Sequence, residues 1–220
     1  MACGIAAALR QRGYDVGVFK PAETGCPPAA DGTMRPADAA RLKFFAECRL
    51  DLSAICPYSF LEPLAPSVAA DREGKPIDVE RLVRCHDAVA SRHDITLIEG
   101  AGGLLVPITP TLTFADLAAR MQVPIVVVVG SRLGAINHAL LTMRYARFVR
   151  LEVLGYVVNL LASQSDLATE TNSAVLADWL GAPLGVVPHL GEVTETPAER
   201  HRFAELFSAR LQIDALLVRP

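Results

Sequence analysis

The sequence predicts an α/β fold with a doubly wound, mostly parallel sheet and helices on both of its faces. Short apolar runs without polar interruption are typical of strands buried on both faces of a parallel sheet, and the runs at 95–98 and 125–129 are of this kind. Segments with helical apolar spacing separate such runs along the chain. This alternation specifies parallel strands joined by right-handed crossovers.

Composition indicates one globular domain over 1–220. The chain is 51% hydrophobic and 20% charged, which favours a compact core over disorder. Its net charge of −3 provides no basic surface for nucleic acid. No apolar run reaches the ~18 residues that span a membrane, and the first residues lack the basic start of a signal peptide. We therefore expect neither nucleic acid nor membrane as a partner.

The cysteines point to a reducing compartment. There are five, an odd number, and none forms a CxxC pair. This pattern argues against both a disulfide framework and a zinc site, so we expect a cytoplasmic protein.

The chain begins with a predicted helix over 2–13, which ends where Gly13 follows basic residues. This helix has no N-cap residue before it. A short strand over 15–20 comes next and ends at Lys20, directly before a proline. Taken alone, this lysine is as well explained by an ordinary edge-strand charge as by a functional role.

Two helices and two irregular stretches fill the rest of the first half. Residues 26–36 and 51–69 are rich in proline and are expected to be irregular. The segment 37–48 is predicted to be helical, and Asp38 in its first turn is explained locally by the helix dipole. The segment 78–92 has apolar residues at helical spacing.

The second half repeats strand and helix. Predicted helices cover 114–121, 135–147, 166–180 and 197–211, and predicted strands cover 125–130, 153–159 and 184–187. His138 lies within a helical pattern, which favours a structural role.

A glycine-rich turn follows the strand that begins at residue 95. The strand leads into Glu99, and residues 100–103 are Gly-Ala-Gly-Gly. Glycines let backbone N–H groups approach a ligand without interference from Cβ atoms. The alternative is a tight turn with an exposed glutamate.

Five residues close the predicted strands: Lys20, Glu99, Gly130, Asn159 and Pro188. Ligands of open parallel sheets bind at the carboxyl ends of the strands. We therefore expect these residues to gather along one edge of the sheet and to form the binding crevice.

Several segments together resemble the dethiobiotin synthetase family, ATP-dependent enzymes of biotin synthesis within the P-loop NTPase superfamily. They run in order from near residue 2 to residue 190. The segments are GVFKPAETG (17–25), PADAARL around Asp38, PYSFLEPLAPSVAA (57–70), LIEGAGGLLVPIT (97–109), TFADLA (113–118), PIVVVVGSRLGAINHALLT (124–142), GYVVN (155–159) and APLGVVPHL (182–190).

The resemblance implies a reaction and its partners. The family closes a ureido ring on 7,8-diaminopelargonate (7,8-diaminononanoate) with CO₂ and ATP, giving dethiobiotin, ADP and phosphate. It implies Mg²⁺ as cofactor, ATP as co-substrate, and a homodimer whose active site lies across the subunit interface.

The resemblance also implies a role for each matching residue. Lys20 is the catalytic cation, and Asp38 and Glu99 are the Mg²⁺ ligands. Substrate-binding residues are Thr24, Gly102, Gly103, Leu133, Gly134, Ala135, Ile136 and Asn137. Nucleotide-binding residues are Asp38, Glu99, Gly100, Ala101, Gly102, Asn159, Leu160, Pro188, His189, Leu190 and Glu195.

One part of the family pattern does not occur in the 220 residues. The family begins with a strand and a phosphate-binding Walker A loop, whereas Met1 falls where the helix after that loop is under way. We expect this start to reflect a misplaced start codon or a deletion. A chain without the loop is expected to be inactive, since the loop supplies phosphate-binding amides, a lysine and a Mg²⁺ ligand.

Two other functions stay open at this stage. One is an amidotransferase-linked or partitioning-type ATPase of the same superfamily, which the segments at 97–107 and 130–142 match less well. The other is a non-catalytic dimerising or regulatory homologue without a P-loop. Coding sequence upstream of Met1 for a strand and a GxxxxGK[ST] loop would argue against the latter.

Overall fold

The computed structural model describes residues 1–30, 32–164 and 166–217. Its helices are α1 (Ala2–Gln11), α2 (Ala37–Ala46), α3 (Leu52–Ile55), α4 (Pro66–Arg72), α5 (Val79–Ala90), α6 (Phe114–Met121), α7 (Ala135–Phe148), α8 (Leu167–Leu180) and α9 (Pro197–Arg210), followed by a 3₁₀ turn over Ile213–Leu216. Its strands are β1 (Val16–Phe19), β2 (Ile95–Ile98), β3 (Ile125–Ser131), β4 (Val153–Leu160) and β5 (Gly185–Val187). The predicted α/β class is confirmed.

The strands are parallel, as predicted, but they pair in two sheets where one was expected. Strand β1 pairs with β2, and β3, β4 and β5 form a second sheet in that order. Alternation along the sequence fixes strand direction and crossovers, but it does not say which strands are neighbours. The five strand ends therefore divide between two sheet edges.

Two compact units contain these sheets. One comprises residues 9–122 with Ala2, and the other comprises residues 123–220 with Met1 and 3–8. In the first, α2 and α5 contact β1, whose four residues are all buried. In the second, buried residues of β3, β4, α7 and α8 form one apolar cluster, which includes Val129, Tyr156 and Leu176. The expected single domain over 1–220 stays a prediction.

Burial of two strands differs from the expectation. All four residues of β2 are half-buried, and Val128 of β3 is 46% exposed. Among the described residues, β2 pairs with β1 alone and β3 with β4 alone. Each strand therefore has one edge without a neighbouring strand, and the residues along that edge are less covered than in the interior of a sheet.

The stretch 51–69 is more regular than predicted, since it contains α3 and the first part of α4. Pro66 occupies the first turn of α4, where its missing N–H costs no hydrogen bond. The carbonyl of Ile55, at the end of α3, accepts the backbone N–H of Lys20 at 2.8 Å. This short helix therefore anchors the end of β1.

Two observations concern the predicted reducing compartment and the predicted absence of a membrane-spanning segment. The five cysteines are free thiols. None of the helices in the described ranges is both long enough and apolar enough to span a bilayer.

Candidate active site

A cavity of about 300 Å³ lies in the unit formed by residues 9–122. Its lining comprises Lys20, Glu23, Thr24, Asp38, Glu99, Gly100, Ala101 and Gly102. Sequence reasoning had named each of these except Glu23. Gly103, the other predicted residue of the glycine turn, is exposed and is not part of the lining.

The side chain of Lys20 is buried at this cavity, with 4% of it exposed. Its Nζ donates hydrogen bonds to Glu99 Oε1 at 2.8 Å and to the carbonyl of Gly100 at 3.1 Å. It also lies 3.3 Å from Asp38 Oδ2. The lysine therefore contacts three acceptors from two different segments of the chain.

Strand pairing explains why Lys20 and Glu99 meet. The register pairs Phe19 with Ile98, so the two chains leave the sheet side by side. The backbone N–H of Glu99 donates to the carbonyl of Phe19 at 2.9 Å and extends this pairing by one residue. The local sequence thus places an ammonium and a carboxylate together at the carboxyl edge of this sheet.

The electrostatics of the cavity favour a cation. Burial by itself would lower the pKa of Lys20, but the adjacent carboxylates of Glu99 and Asp38 raise it above its ordinary value. Lys20 is therefore an ammonium at neutral pH. With Glu23 included, three carboxylates face this one ammonium, so the group carries excess negative charge when all are ionised.

The glycine turn requires a special backbone at Gly102. Its φ is +80°, and a Cβ atom built there would lie 2.9 Å from Val106 Cγ2. A Cβ atom at Gly103 would have no heavy atom within 4 Å. Only the first of these two glycines is required by the fold of the turn.

Glu23 is the residue of this cavity that sequence reasoning missed. Its carboxylate accepts the backbone N–H of Asp38 at 2.8 Å and that of Ala39 at 3.0 Å. Burial raises its pKa, although the two N–H donors oppose the rise. An acidic residue three positions after Lys20 carries no motif that would have identified it.

The carboxylates of Asp38 and Glu99 suit a magnesium ion. Both approach Lys20 Nζ, at 3.3 and 2.8 Å, so their oxygens converge on one point. Mg²⁺ is often held by one or two carboxylates, with waters and substrate phosphates completing its shell. Over the described ranges, no group of three or more His, Cys, Asp or Glu residues is arranged to hold a metal. A magnesium site with two carboxylates is compatible with this finding, because waters and substrate phosphates supply the other ligands.

Two buried thiols lie beside the cavity. Burial is the main cause that raises the pKa of Cys26 to about 11 and that of Cys56 to about 12. Cys56 Sγ is 3.5 Å from Ser59 Oγ, and Ser59 also contacts Cys26. High pKa values keep both groups as unreactive thiols at neutral pH.

The remaining predicted residues belong to the unit that contains β3, β4 and β5. The strand register aligns Gly130 with Asn159 and Asn159 with Val187, so three strand ends share one edge. At that edge lie Asn159 and Leu160 at the end of β4 and Pro188, His189 and Leu190 after β5. Glu195 is exposed and directly precedes the N-cap of α9.

The predicted substrate segment 133–137 forms the start of α7. Gly134 occupies the N-cap position with a φ of 89°, and glycine has no side chain that could cap the helix. Leu133 is 87% exposed, whereas Ala135 is buried. The N-cap residue therefore does not supply the first turn with the side-chain acceptor that a serine or an aspartate would provide.

Asn172 of α8 supports this turn and was not predicted. Its buried Nδ2 donates to Ser131 Oγ at 3.2 Å and to the carbonyl of Arg132 at 3.0 Å. The same carbonyl accepts the N–H of Ala135 at 3.1 Å. Nothing in the sequence around Asn172 indicated this contact, which only the packing of α8 creates.

A second cavity, of about 380 Å³, lies in the same unit between β3 and α7. Its lining includes Arg132, His138 and Thr142 besides apolar residues of β3. His138 is exposed there rather than packed in the core.

Comparison with known proteins identifies relatives of this chain. A family model described as an AAA domain matches residues 1–198. The chain is 40% identical over 177 residues to the ATP-dependent dethiobiotin synthetase of Anaeromyxobacter sp. strain K, covering 80% of this chain and 77% of that protein. It is 36% identical over 195 residues to the enzyme of the same name from Bacillus velezensis, covering 88% of this chain and 82% of that protein.

Solved structures show a similar fold at low sequence identity. The MinC:MinD cell division protein complex of Aquifex aeolicus matches with a TM-score of 0.52 and 13% identity, covering 100% of this chain and 90% of that chain. The MinD cell division protein of the same organism matches with a TM-score of 0.50 and 16% identity, covering 100% and 92%. These similarities concern the fold alone.

Proposed function

The chain belongs to the dethiobiotin synthetase family, and on that premise we propose that it takes part in ATP- and Mg²⁺-dependent ring closure on 7,8-diaminopelargonate with CO₂. The observation that carries the proposal is the convergence of Asp38, Glu99 and the Gly100 carbonyl on Lys20 Nζ, within 3.3 Å. The reaction brings an anionic carbamate against an anionic triphosphate. Its main demand is therefore for positioned cations.

The first step forms the carbamate. One amine of the substrate attacks CO₂, a C–N bond forms, one C=O bond becomes a carboxylate C–O⁻, and the nitrogen gives a proton to solvent. Lys20 is a compact point charge that suits the carbamate oxygens. Thr24, which also lines the cavity, is proposed to hydrogen-bond the carbamate or amine region.

The second step transfers the γ-phosphoryl group. A carbamate oxygen attacks the γ-phosphorus, the bond to ADP breaks, and a mixed carbamic–phosphoric anhydride results. Asp38 and Glu99 would hold a Mg²⁺ ion, which would neutralise charge on the phosphates. With these carboxylates so engaged, the ammonium of Lys20 is free to turn to the carbamate and the transferring phosphoryl group.

The third step closes the ring. The second amine attacks the carbonyl carbon of the anhydride and phosphate leaves, which gives the ureido ring of dethiobiotin. The backbone at 100–103 is proposed to support substrate and phosphate at this stage. The positive φ at Gly102 gives this backbone a course that a residue with a Cβ atom rarely adopts.

The start of α7 is proposed to bind the carboxylate of the substrate. Its N-cap residue is a glycine, which supplies no side-chain acceptor to the first turn, and a helix N-terminus favours an anion. The segment 133–137 would serve the active site of a partner subunit in a homodimer. A strict monomer in light scattering would contradict this part of the proposal.

Adenine recognition is proposed for the edge formed by β4 and β5. Asn159 would read the base through its side-chain amide, next to Leu160. Pro188, His189 and Leu190 would line the base, and Glu195 would contact the nucleotide. The cytoplasm is proposed as the site of the reaction, because free thiols persist in a reducing compartment.

The test is transfer of label from ¹⁴C-bicarbonate into dethiobiotin in the presence of diaminopelargonate, ATP and Mg²⁺. We expect no measurable product from the 220-residue chain alone, since no GxxxxGK[ST] sequence occurs in it. The same chain extended with a strand and a Walker A loop of the family is expected to form labelled product.

Two outcomes would contradict part of the proposal. Robust product formation by the 220-residue chain would show that the loop is dispensable. ATP hydrolysis without labelled product in the extended chain would favour another ATPase of the superfamily.

A further inference from the structure

The carboxylate of Glu23 lies in a rigidly held part of the chain. The residue is 6% exposed. Its backbone N–H donates to the carbonyl of Tyr58 at 2.9 Å, and its own carbonyl accepts the N–H of Phe60 at 2.9 Å. Its main chain is thus bonded on both sides to one neighbouring segment, which leaves little freedom for the side chain to relocate.

This carboxylate caps the N-terminus of α2. The N-cap residue of α2 is Pro36, which makes no side-chain cap hydrogen bond. Glu23 Oε1 and Oε2 instead accept the N–H groups of Asp38 and Ala39, the second and third residues of the helix. These are the N–H groups that an N-cap side chain ordinarily satisfies. A negative charge there also complements the helix dipole.

Capping by Glu23 fixes the position of the first turn of α2 and therefore the position of Asp38, which lines the cavity. Asp38 belongs to that turn, and its carboxylate lies 3.3 Å from Lys20 Nζ. The side chain of Asp38 is 52% exposed, so few side-chain contacts hold it. Its position depends chiefly on where the helix begins.

We propose that Glu23 is a positioning residue that sets Asp38 opposite Glu99 for binding of a divalent cation. The proposal rests on the proposed function, in which Asp38 and Glu99 are the metal ligands. Glu23 is given this role rather than that of a ligand because each of its oxygens already accepts a backbone N–H group of α2.

The test measures Mn²⁺ binding to the 220-residue chain, using the electron paramagnetic resonance signal of free Mn²⁺ as the readout. Glu23→Gln keeps the size of the side chain but replaces one acceptor oxygen with a donor NH₂ group. We expect about tenfold weaker Mn²⁺ binding, the scale of losses when groups that orient metal ligands are changed. Asp38→Asn and Glu99→Gln are expected to weaken binding at least as much.

Glu73→Gln is the matched control. The Glu73 carboxylate also accepts a backbone N–H from a distant residue, that of Leu61 at 2.7 Å, and its ion pair is with Lys75, outside α2. Glu73→Gln therefore removes a carboxylate acceptor of a backbone N–H, as Glu23→Gln does, but at a site away from the cavity. Mn²⁺ binding in this variant should equal that of the unchanged chain.

The outcomes separate the two proposals. Weaker binding in Glu23→Gln with unchanged binding in Glu73→Gln supports the role of Glu23. Unchanged binding in Glu23→Gln, with losses in Asp38→Asn and Glu99→Gln, overturns that role and leaves the metal site standing. Absence of Mn²⁺ binding, or unchanged binding in Asp38→Asn, overturns both.

A second measurement needs no variant and remains decisive if Glu23→Gln does not fold. N–H groups in the first turn of a helix have no intrahelical partner and ordinarily exchange fast. Bonds to Glu23 predict slow hydrogen exchange at the amides of Asp38 and Ala39 in the unchanged chain. Fast exchange at both amides would overturn the proposal.

Discussion

Lys20 Nζ and Glu99 Oε1 lie 2.8 Å apart at the carboxyl edge of the β1–β2 sheet. Both residues follow directly from paired strands, and the register alone brings them together. Asp38 joins them from a helix, at 3.3 Å from the same nitrogen. The ammonium of Lys20 therefore bridges the two carboxylates that we propose as metal ligands.

Gly102→Ala is predicted to destabilise the glycine turn. The new Cβ atom would meet Val106 Cγ2 at 2.9 Å on a backbone with φ of +80°. We expect a loss of about 1–3 kcal/mol in the free energy of unfolding, the scale of such backbone strain. Urea denaturation measures it, and Gly103→Ala, with no heavy atom within 4 Å of the new Cβ, is the control. Equal losses in the two variants would contradict the explanation.

Thr113→Ala is predicted to weaken α6. Thr113 Oγ1 accepts the N–H of Asp116, and Asp116 Oδ2 accepts the Thr113 N–H and hydroxyl, both at 2.7 Å. Loss of such a cap costs about 1 kcal/mol. Thermal unfolding checks this against Thr111→Ala, an exposed threonine on the preceding turn.

The same cap predicts a pH dependence. Hydrogen bonds from Thr113 lower the pKa of Asp116 below its ordinary value. Protonation of this group therefore favours the unfolded chain. Its contribution is complete above the ordinary pKa of an aspartate and disappears as the pH falls through the lowered value. Thr113→Ala should reduce this acid-dependent part of the stability, and an unchanged pH profile would contradict it.

Cys26 and Cys56 are predicted to react slowly with iodoacetamide. With pKa values of about 11 and about 12, only a very small fraction of either group is thiolate at pH 8. Mass spectrometry should find the partly exposed Cys3 and Cys85 modified before these two buried thiols. The modification rate of Cys56 should rise about tenfold per pH unit while the chain stays folded. Rapid modification of Cys56 at pH 7.5 would show that its thiol is not buried as described.

Most helices and strands could be predicted from the sequence, and so could the pair formed by Lys20 and Glu99 in the candidate site. Lys20 and Glu99 end strands of a parallel sheet, and this local property places them at a binding edge. Glu23 and Asn172 were not predictable, because each acts through a contact that only tertiary packing creates. The pairing of strands in two sheets was not predictable either, since neighbouring strands are chosen by packing rather than by periodicity.

The most direct test of the central claim is the rate of dethiobiotin formation by Lys20→Ala in the chain extended with the Walker A loop. Loss of a charge that stabilises the transition state is expected to lower turnover by about 10²–10³-fold, with a much smaller effect on folding. Lys75→Ala is the control, since this lysine pairs with Glu73 on the surface. A rate reduced in Lys20→Ala alone is the predicted result. Equal rates in both variants and the parent chain would remove Lys20 from the active site.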